Sequence, residues 1–173
     1  GHALVAHALP HTDPVHKITI MPRGRALGYT MVLPDDDKYS TTRNQLLDQL
    51  AYSLGGRAAE ELIFHDPSTG ASNDIEKATA LARAMVTQYG MTEAIGAIKL
   101  GADDSAPFMG RDYGHQRDYS ENVAAVVDGE IRKLIEKAHH EAYEILEANR
   151  SILDEMVLQL LKKETLNKEE IAE

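Results

Sequence analysis

Apolar side chains recur every three or four residues through four stretches of the chain, a spacing that predicts amphipathic helices. Helix-start signals precede three of them: Thr42 forms a capping box with Gln45, and Asn73 and Ser120 are the expected N-caps of the next two. Gly90 is the expected C-cap of the second helix. The predicted helices are residues 42–62, 74–89, 121–149 and 151–163.

The N-terminal part of the chain has a different pattern. Residues 16–21 and 28–33 are short runs rich in β-branched residues, and a Pro- and Gly-containing turn at 22–25 separates them, so we expect a hairpin or small sheet. Residues 3–9 read as the end of a helix that Pro10 stops. Because this helix has no cap, we expect the chain to start within an element. The predicted fold is mainly α, a helical bundle with a small β-sheet or hairpin near the N-terminus.

Two adjacent glycines, Gly55 and Gly56, interrupt the first long helical pattern. Inside a helix they cost about 1–2 kcal/mol relative to two alanines. A close helix crossing, or a close approach of backbone to a site, would explain this cost.

Composition narrows the possible functions. The chain has 173 residues, no cysteine and a formal net charge of −10. An acidic chain lacks the basic face that nucleic-acid binding requires, so we expect no nucleic-acid partner. Without thiolates, any metal ion must be held by His, Asp or Glu. No apolar run approaches the roughly 20 residues that a membrane-spanning helix needs.

From the residues alone, His2 and Asp74 are a weak metal-site hypothesis. Both side chains are suitable zinc ligands, but a catalytic zinc site usually has three protein ligands and one open position. The spacing of two residues does not decide between a metal site and unrelated surface side chains. The chain also lacks the Gly-Lys-Ser or Gly-Lys-Thr loop through which many proteins bind ATP.

Several longer motifs along the chain are more specific than the His2 and Asp74 pair. The first six residues, Gly-His-Ala-Leu-Val-Ala, match the second half of the helix motif His-Glu-Ala-Gly-His-Ala-Leu-Val-Ala. Further matching segments follow in order at 20–24, 28–34, 54–61, 69–79, 85–91, 108–111 and 120–121. Together they resemble the protease domain of the FtsH family of membrane-anchored AAA+ zinc metalloproteases.

The resemblance implies that residues 1–173 form a zinc metalloprotease domain, in which zinc-activated water attacks peptide bonds. His2 would be the second histidine of His-Glu-x-x-His, and Asp74 the third zinc ligand, reached from another helix. Glu60 would lie in a second shell and orient a ligand imidazole, with Asn73 beside Asp74. Alternatively, Glu60 belongs to a surface charge cluster of the Arg57–Glu61 type.

The resemblance also implies how substrate is bound. Unfolded polypeptide would lie extended along an exposed strand edge and form backbone hydrogen bonds that tolerate many sequences. The expected edge is Gly28, Tyr29, Thr30, Met31 and Val32.

One departure from the family pattern concerns catalysis. The first histidine of the motif and the glutamate that acts as general base would precede Gly1, so we expect the chain as given to be inactive. The family's ATP-hydrolysing motor and membrane segment would also lie upstream. The parent protein is then expected to be a membrane-anchored homo-hexamer, with this domain on the cytoplasmic, matrix or stromal side.

A competing hypothesis is a non-enzymatic helical assembly or adaptor domain without metal. A degenerate family member that assembles with active partners is a third possibility.

Overall fold

The computed structural model describes residues 1–10, 14–19, 29–32, 40–100 and 120–172. The predicted mainly α architecture with a small sheet is confirmed. None of the helices in these ranges is both long enough and apolar enough to cross a membrane. The elements in chain order are α1 (His2–Ala8), β1 (Val15–Thr19), β2 (Tyr29–Val32), α2 (Arg43–Ser53), α3 (Gly55–Phe64), α4 (Ser72–Thr87), α5 (Glu121–Ala148), α6 (Arg150–Lys163), β3 (Thr165–Asn167) and α7 (Lys168–Ala172).

The long helix α5 is the centre of the bundle, and α2, α3 and α4 pack against it. Its start is fixed as expected, because the Ser120 hydroxyl accepts a hydrogen bond from the Val123 amide at 3.2 Å. Its buried stripe faces a mainly aliphatic core. The largest fully buried side chains of the core are Leu50, Met85, Leu146, Val5, Val86 and Val127.

The predicted single helix over residues 42–62 is wrong, since two helices meet at Leu54. The capping box at its start is confirmed: the Thr42 side chain accepts from the Gln45 amide, and the Gln45 side chain accepts from the Thr42 amide. At Leu54 the backbone leaves the helical region, with φ −90° and ψ 0°. Gly55 then becomes the first residue of α3. The two glycines therefore start a helix instead of weakening the middle of one.

The start of α4 also differs from the prediction. The helix begins at Ser72 with Ala71 in the cap position, and no side chain caps it. Asn73 as N-cap is therefore wrong, because a 3-10 turn at Thr69–Ala71 leads directly into the helix. Gly90 lies two residues beyond the actual C-cap, Gln88, where its φ of +58° turns the chain away from the helix.

The small sheet has three strands in the order β2-β1-β3, and both pairings are antiparallel. The two predicted strands are confirmed over Val15–Thr19 and Tyr29–Val32, while residues 20–28 and 33 lie outside the described part of the chain. The third strand, Thr165–Asn167, was not predicted. It is joined to β1 by backbone pairing and by a 2.8 Å hydrogen bond between the hydroxyls of Thr19 and Thr165. Among the strands that the structure describes, β1 is central, so β2 lies at one edge of the sheet.

The core makes a direct prediction about stability. Leu50 is fully buried, so Leu50→Ala should lower the free energy of unfolding by about 2–5 kcal/mol through lost contacts and a residual cavity. Leu158 on α6 is 51% exposed, and Leu158→Ala should change stability by about 0.5 kcal/mol or less. Urea denaturation of the two variants measures both values. Equal losses would contradict the packing described here.

Candidate metal centre

The fold brings together the two residues that the sequence proposed as metal ligands. His2 is the first residue of α1, and Asp74 lies in the first turn of α4. The His2 Nε2 atom lies 3.1 Å from Asp74 Oδ2. The two side chains are 26% and 30% exposed, so the pair sits at the rim of the core and remains accessible from one side.

This contact joins two potential metal ligands. His2 Nε2 is shielded from solvent, and the Asp74 carboxylate lies beside it. Two ligand atoms at about 2.0–2.2 Å from a tetrahedral zinc ion lie roughly 3.3–3.6 Å apart, so the pair at 3.1 Å has the chemistry of two ligands of one ion and nearly their separation.

The His2 ring is enclosed by the α2–α3 junction. A Cβ atom on Gly56 would lie 2.7 Å from His2 Cε1, and one on Gly55 would lie 3.1 Å from the Gly1 carbonyl oxygen. The expected close approach at this glycine pair is confirmed, because only glycine leaves room for the ring and for the backbone of α1. The ring also forms a hydrogen bond with the backbone of Ser53.

Electrostatics favours the neutral imidazole that a metal ion needs. Burial lowers the pKa of His2, and the nearby charge of Asp74 opposes this shift. A lowered pKa keeps the imidazole neutral, which is the form that binds metal. Asp74 lies in the first turn of α4, at the positive end of the helix dipole.

Glu60 contacts the segment that leads into α4. Its two carboxylate oxygens accept hydrogen bonds from the Ser68 amide at 3.0 Å and from the Ser68 hydroxyl at 2.8 Å. Ser68 in turn accepts a hydrogen bond from the Gly70 amide, which fixes the 3-10 turn. The carboxylate therefore ties α3 to the start of the helix that carries Asp74. Asn73 is exposed beside Asp74 in the same helical turn.

The alternative for Glu60 was membership of a surface charge cluster. The neighbouring Glu61, not Glu60, forms such a cluster. Arg57 Nε lies 2.8 Å from Glu61 Oε1, and His139 Nε2 on α5 lies 2.9 Å from Glu61 Oε2. This cluster links α3 to α5. Glu60 and Glu61 thus point to different partners, the loop before α4 and the long helix.

Within the described ranges, His2 and Asp74 are not joined by a third His, Asp or Glu that completes a metal site. Of the predicted substrate segment, residues 29–32 form the edge strand β2, and Gly28 lies outside the described part.

Comparison with known proteins decides the family. The model of peptidase family M41 matches residues 1–173, the whole chain. The chain belongs to peptidase family M41. The resemblance drawn from the motifs is therefore confirmed at the level of the family.

Individual M41 relatives carry the name ATP-dependent zinc metalloprotease FtsH. The relative from Cutibacterium acnes is 65% identical over 173 residues, which is all of this chain and 24% of the relative. Relatives from Mycobacterium leprae and Rubrobacter xylanophilus are 50% and 51% identical over 171 residues, 99% of this chain and 22% and 26% of the relatives. The chain thus spans about a quarter of the length of these curated relatives.

The M41 domain contains one residue beside the candidate ligands that the sequence analysis did not identify. Tyr52 lies with its ring edge-to-face to the His2 imidazole, at a centroid distance of 5.3 Å. Burial and the charge of Asp74 raise the pKa of its phenol. The sequence did contain a hint, because residues four apart on one helix are neighbours and Tyr52 precedes Gly56 by four residues. The helix break at Leu54 places the two residues on different helices, so this rule does not apply to them directly.

The glycine contact gives a test of the metal centre in this M41 domain. If His2 is a zinc ligand, Gly56→Ala in the full-length protein should displace the His2 ring and weaken zinc binding by about 10- to 100-fold, the usual effect of disturbing groups that orient a ligand. Gly129 on α5 has open space where a Cβ would lie, so Gly129→Ala is a matched control. It should leave zinc affinity unchanged and stabilise the helix by about 0.5–1 kcal/mol. Zinc titration against a competing chelator measures the affinities, and an unaffected Gly56→Ala variant would argue against the proposed ligand position.

Proposed function

We propose that this chain is the proteolytic domain of an ATP-dependent zinc metalloprotease that cleaves unfolded or membrane proteins. His2 and Asp74 are two of its zinc ligands. The observation that carries the proposal is the meeting of the His2 imidazole on α1 and the Asp74 carboxylate on α4, two helices distant in the sequence, with His2 Nε2 3.1 Å from Asp74 Oδ2. Family membership and the names of the relatives support the same reading.

His2 and Asp74 each have a defined task in this proposal. Zinc, when bound, polarises the scissile carbonyl and makes a water nucleophilic at neutral pH. His2 supplies a neutral imidazole nitrogen, and Asp74 supplies an anionic oxygen from the start of α4. The remaining ligand and the general base are the first histidine and the glutamate of the family motif, which we expect upstream of Gly1. Hydrolysis therefore requires more of the protein than His2 and Asp74.

Glu60 has a supporting role in this scheme. Through Ser68 its carboxylate holds the 3-10 turn that precedes α4, and this turn determines where the first residues of the helix lie. The proposal therefore gives Glu60 an outer-shell function that acts on Asp74, with Asn73 as the exposed neighbour of that ligand.

Strand β2 is the proposed substrate-binding edge. It pairs with β1 on one side, in the register Thr30 opposite Ile18 and Met31 opposite Lys17. The other side of an edge strand offers backbone N–H and C=O groups that can pair with an extended peptide. This mode of binding suits a protease that accepts many unfolded sequences.

The proposal places the chain within a larger assembly. Its relatives are about four times longer and are named ATP-dependent, so we assign ATP hydrolysis and membrane attachment to other parts of the protein. The domain would face the cytoplasm, matrix or stroma. We assign a homo-hexamer from the resemblance to the family, and exposed apolar side chains on α6, which are typical of protein interfaces, offer a surface for subunit contacts. These side chains are Ile152, Val157, Leu158 and Leu161.

The zinc assignment predicts the effect of a minimal ligand change. In the full-length protein, Asp74→Asn removes the anionic charge that binds the ion, and zinc affinity and proteolysis should fall by about 100-fold or more. Asp154→Asn on α6 is the control, because this carboxylate is 58% exposed and its ion-pair partner among the described residues is the exposed Arg150 at 3.5 Å. Metal analysis and degradation of an unstructured polypeptide are the measurements.

The same experiment separates the competing hypotheses. A metal-free adaptor domain would contain no zinc and would tolerate Asp74→Asn. A degenerate family member would fail to degrade polypeptide in its wild-type form, whatever the state of Asp74.

The substrate edge predicts a different kinetic effect. Successive residues of an antiparallel edge strand direct their N–H groups alternately to the partner strand and away from it. One of Thr30→Pro and Met31→Pro therefore removes an outward donor, and the other removes a bond to β1. The outward variant should raise KM for unfolded polypeptide while zinc content and stability stay unchanged. The inward variant should destabilise the sheet. If neither variant changes KM, β2 does not bind substrate.

A further inference from the structure

Tyr52 lies between the His2–Asp74 pair and the residues that pack beneath the small sheet. It is near the end of α2, one residue before Ser53, whose backbone is hydrogen-bonded to the His2 ring. The Tyr52 and His2 rings meet at an interplanar angle of 65° with centroids 5.3 Å apart. This is the edge-to-face arrangement that aromatic rings prefer.

The same tyrosine also packs against a second set of residues. It lies on a small buried cluster formed by α1 and β1, separate from the main core of the bundle. The cluster consists of Ala3, Ala6, Val15 and Ile18. Tyr52 therefore packs on the His2 ring and on a cluster to which the helix that carries His2 and strand β1 both contribute.

These contacts restrict how the imidazole can turn. Rotation about the last side-chain bond of a histidine determines where Nε2 points, and this torsion is broad for an unrestrained ring. Gly56 leaves the space that the ring occupies, and the Ser53 backbone holds it by a hydrogen bond. The edge-to-face contact with Tyr52 adds a further restraint, so that Nε2 faces Asp74.

We propose that Tyr52 is a positioning residue for the His2 metal ligand, and that its ring, not its hydroxyl, does this. The inference rests on the proposed zinc site. The contact joins two rings, so the phenol oxygen is dispensable for it. Removing the ring frees the imidazole to turn, which weakens metal binding and changes the ligand field of the bound ion.

The test uses the full-length protein with Tyr52→Phe, which keeps the ring, and Tyr52→Leu, which removes it. Tyr89→Leu is the matched control, because Tyr89 is 56% exposed at the far end of α4. Zinc affinity is measured by chelator competition, and the visible spectrum of the cobalt(II)-substituted protein reports ligand geometry. Tyr52→Leu should bind zinc about 10-fold more weakly and shift the cobalt bands. Tyr52→Phe and Tyr89→Leu should match the wild type.

Kinetics provides a second readout. At saturating zinc, Tyr52→Leu should lower kcat for an unstructured polypeptide and leave KM unchanged, because the ring acts on the metal ligand. A raised KM with an unchanged cobalt spectrum would overturn the inference and assign Tyr52 to the substrate side. An effect of Tyr52→Phe equal to that of Tyr52→Leu would also overturn it, since the hydroxyl would then be the important group.

Two further controls keep the outcomes separate. If Tyr52→Leu does not fold by circular dichroism, Tyr52→Met replaces it, because a flexible thioether can refill the contact with the small cluster without supplying a ring. A wild-type protein that binds no zinc would refute the proposed function itself. Wild-type zinc binding with an unaffected Tyr52→Leu variant would refute only the role of Tyr52.

Discussion

The close approach of α1 to the backbone of Gly55 and Gly56 is the constraint on which the candidate site depends. At this crossing a single added methyl group would lie 2.7 Å from the His2 ring. No other residue type gives the same clearance, since every other side chain begins with a Cβ atom. The crossing places His2 over the α2–α3 junction, and the packing of α2 and α4 in the bundle brings Asp74 to the same point.

The site is therefore formed by short local features of the backbone that are supported by the packed helical bundle. The bundle around α5 supplies this support, with fully buried aliphatic side chains from several helices. The local features are the helix break at Leu54, the 3-10 turn before α4 and the hydrogen bonds of Glu60 with Ser68. The first two lie at the start of a helix, where the backbone changes direction, and the hydrogen bonds of Glu60 hold the turn that precedes α4.

Sequence patterns predicted those features that depend on neighbouring residues. The capping box at Thr42 and the cap at Ser120 require only contacts three residues apart, and both are present. The break at Leu54 was not visible in the pattern, because apolar spacing continues through it. Strand β3 has only three residues, which are too few for a periodic signal. It forms by antiparallel backbone pairing with β1, a long-range contact that local sequence does not reveal. Asn73 was expected as a cap from its residue type, but the preceding 3-10 turn already directs the chain into α4.

His2 and Asp74 lie on two helices that are distant in the sequence, and this has a consequence for α1. Helices in proteins owe most of their stability to packing, and α1 packs against α2, α3 and α5. In the proposed zinc site, an ion held jointly by α1 and α4 would bind only the assembled arrangement, so by mass action its binding free energy would oppose separation of α1 from the bundle. Metal occupancy and the docking of α1 would then be thermodynamically linked, and loss of the ion would loosen α1 before it loosened the bundle.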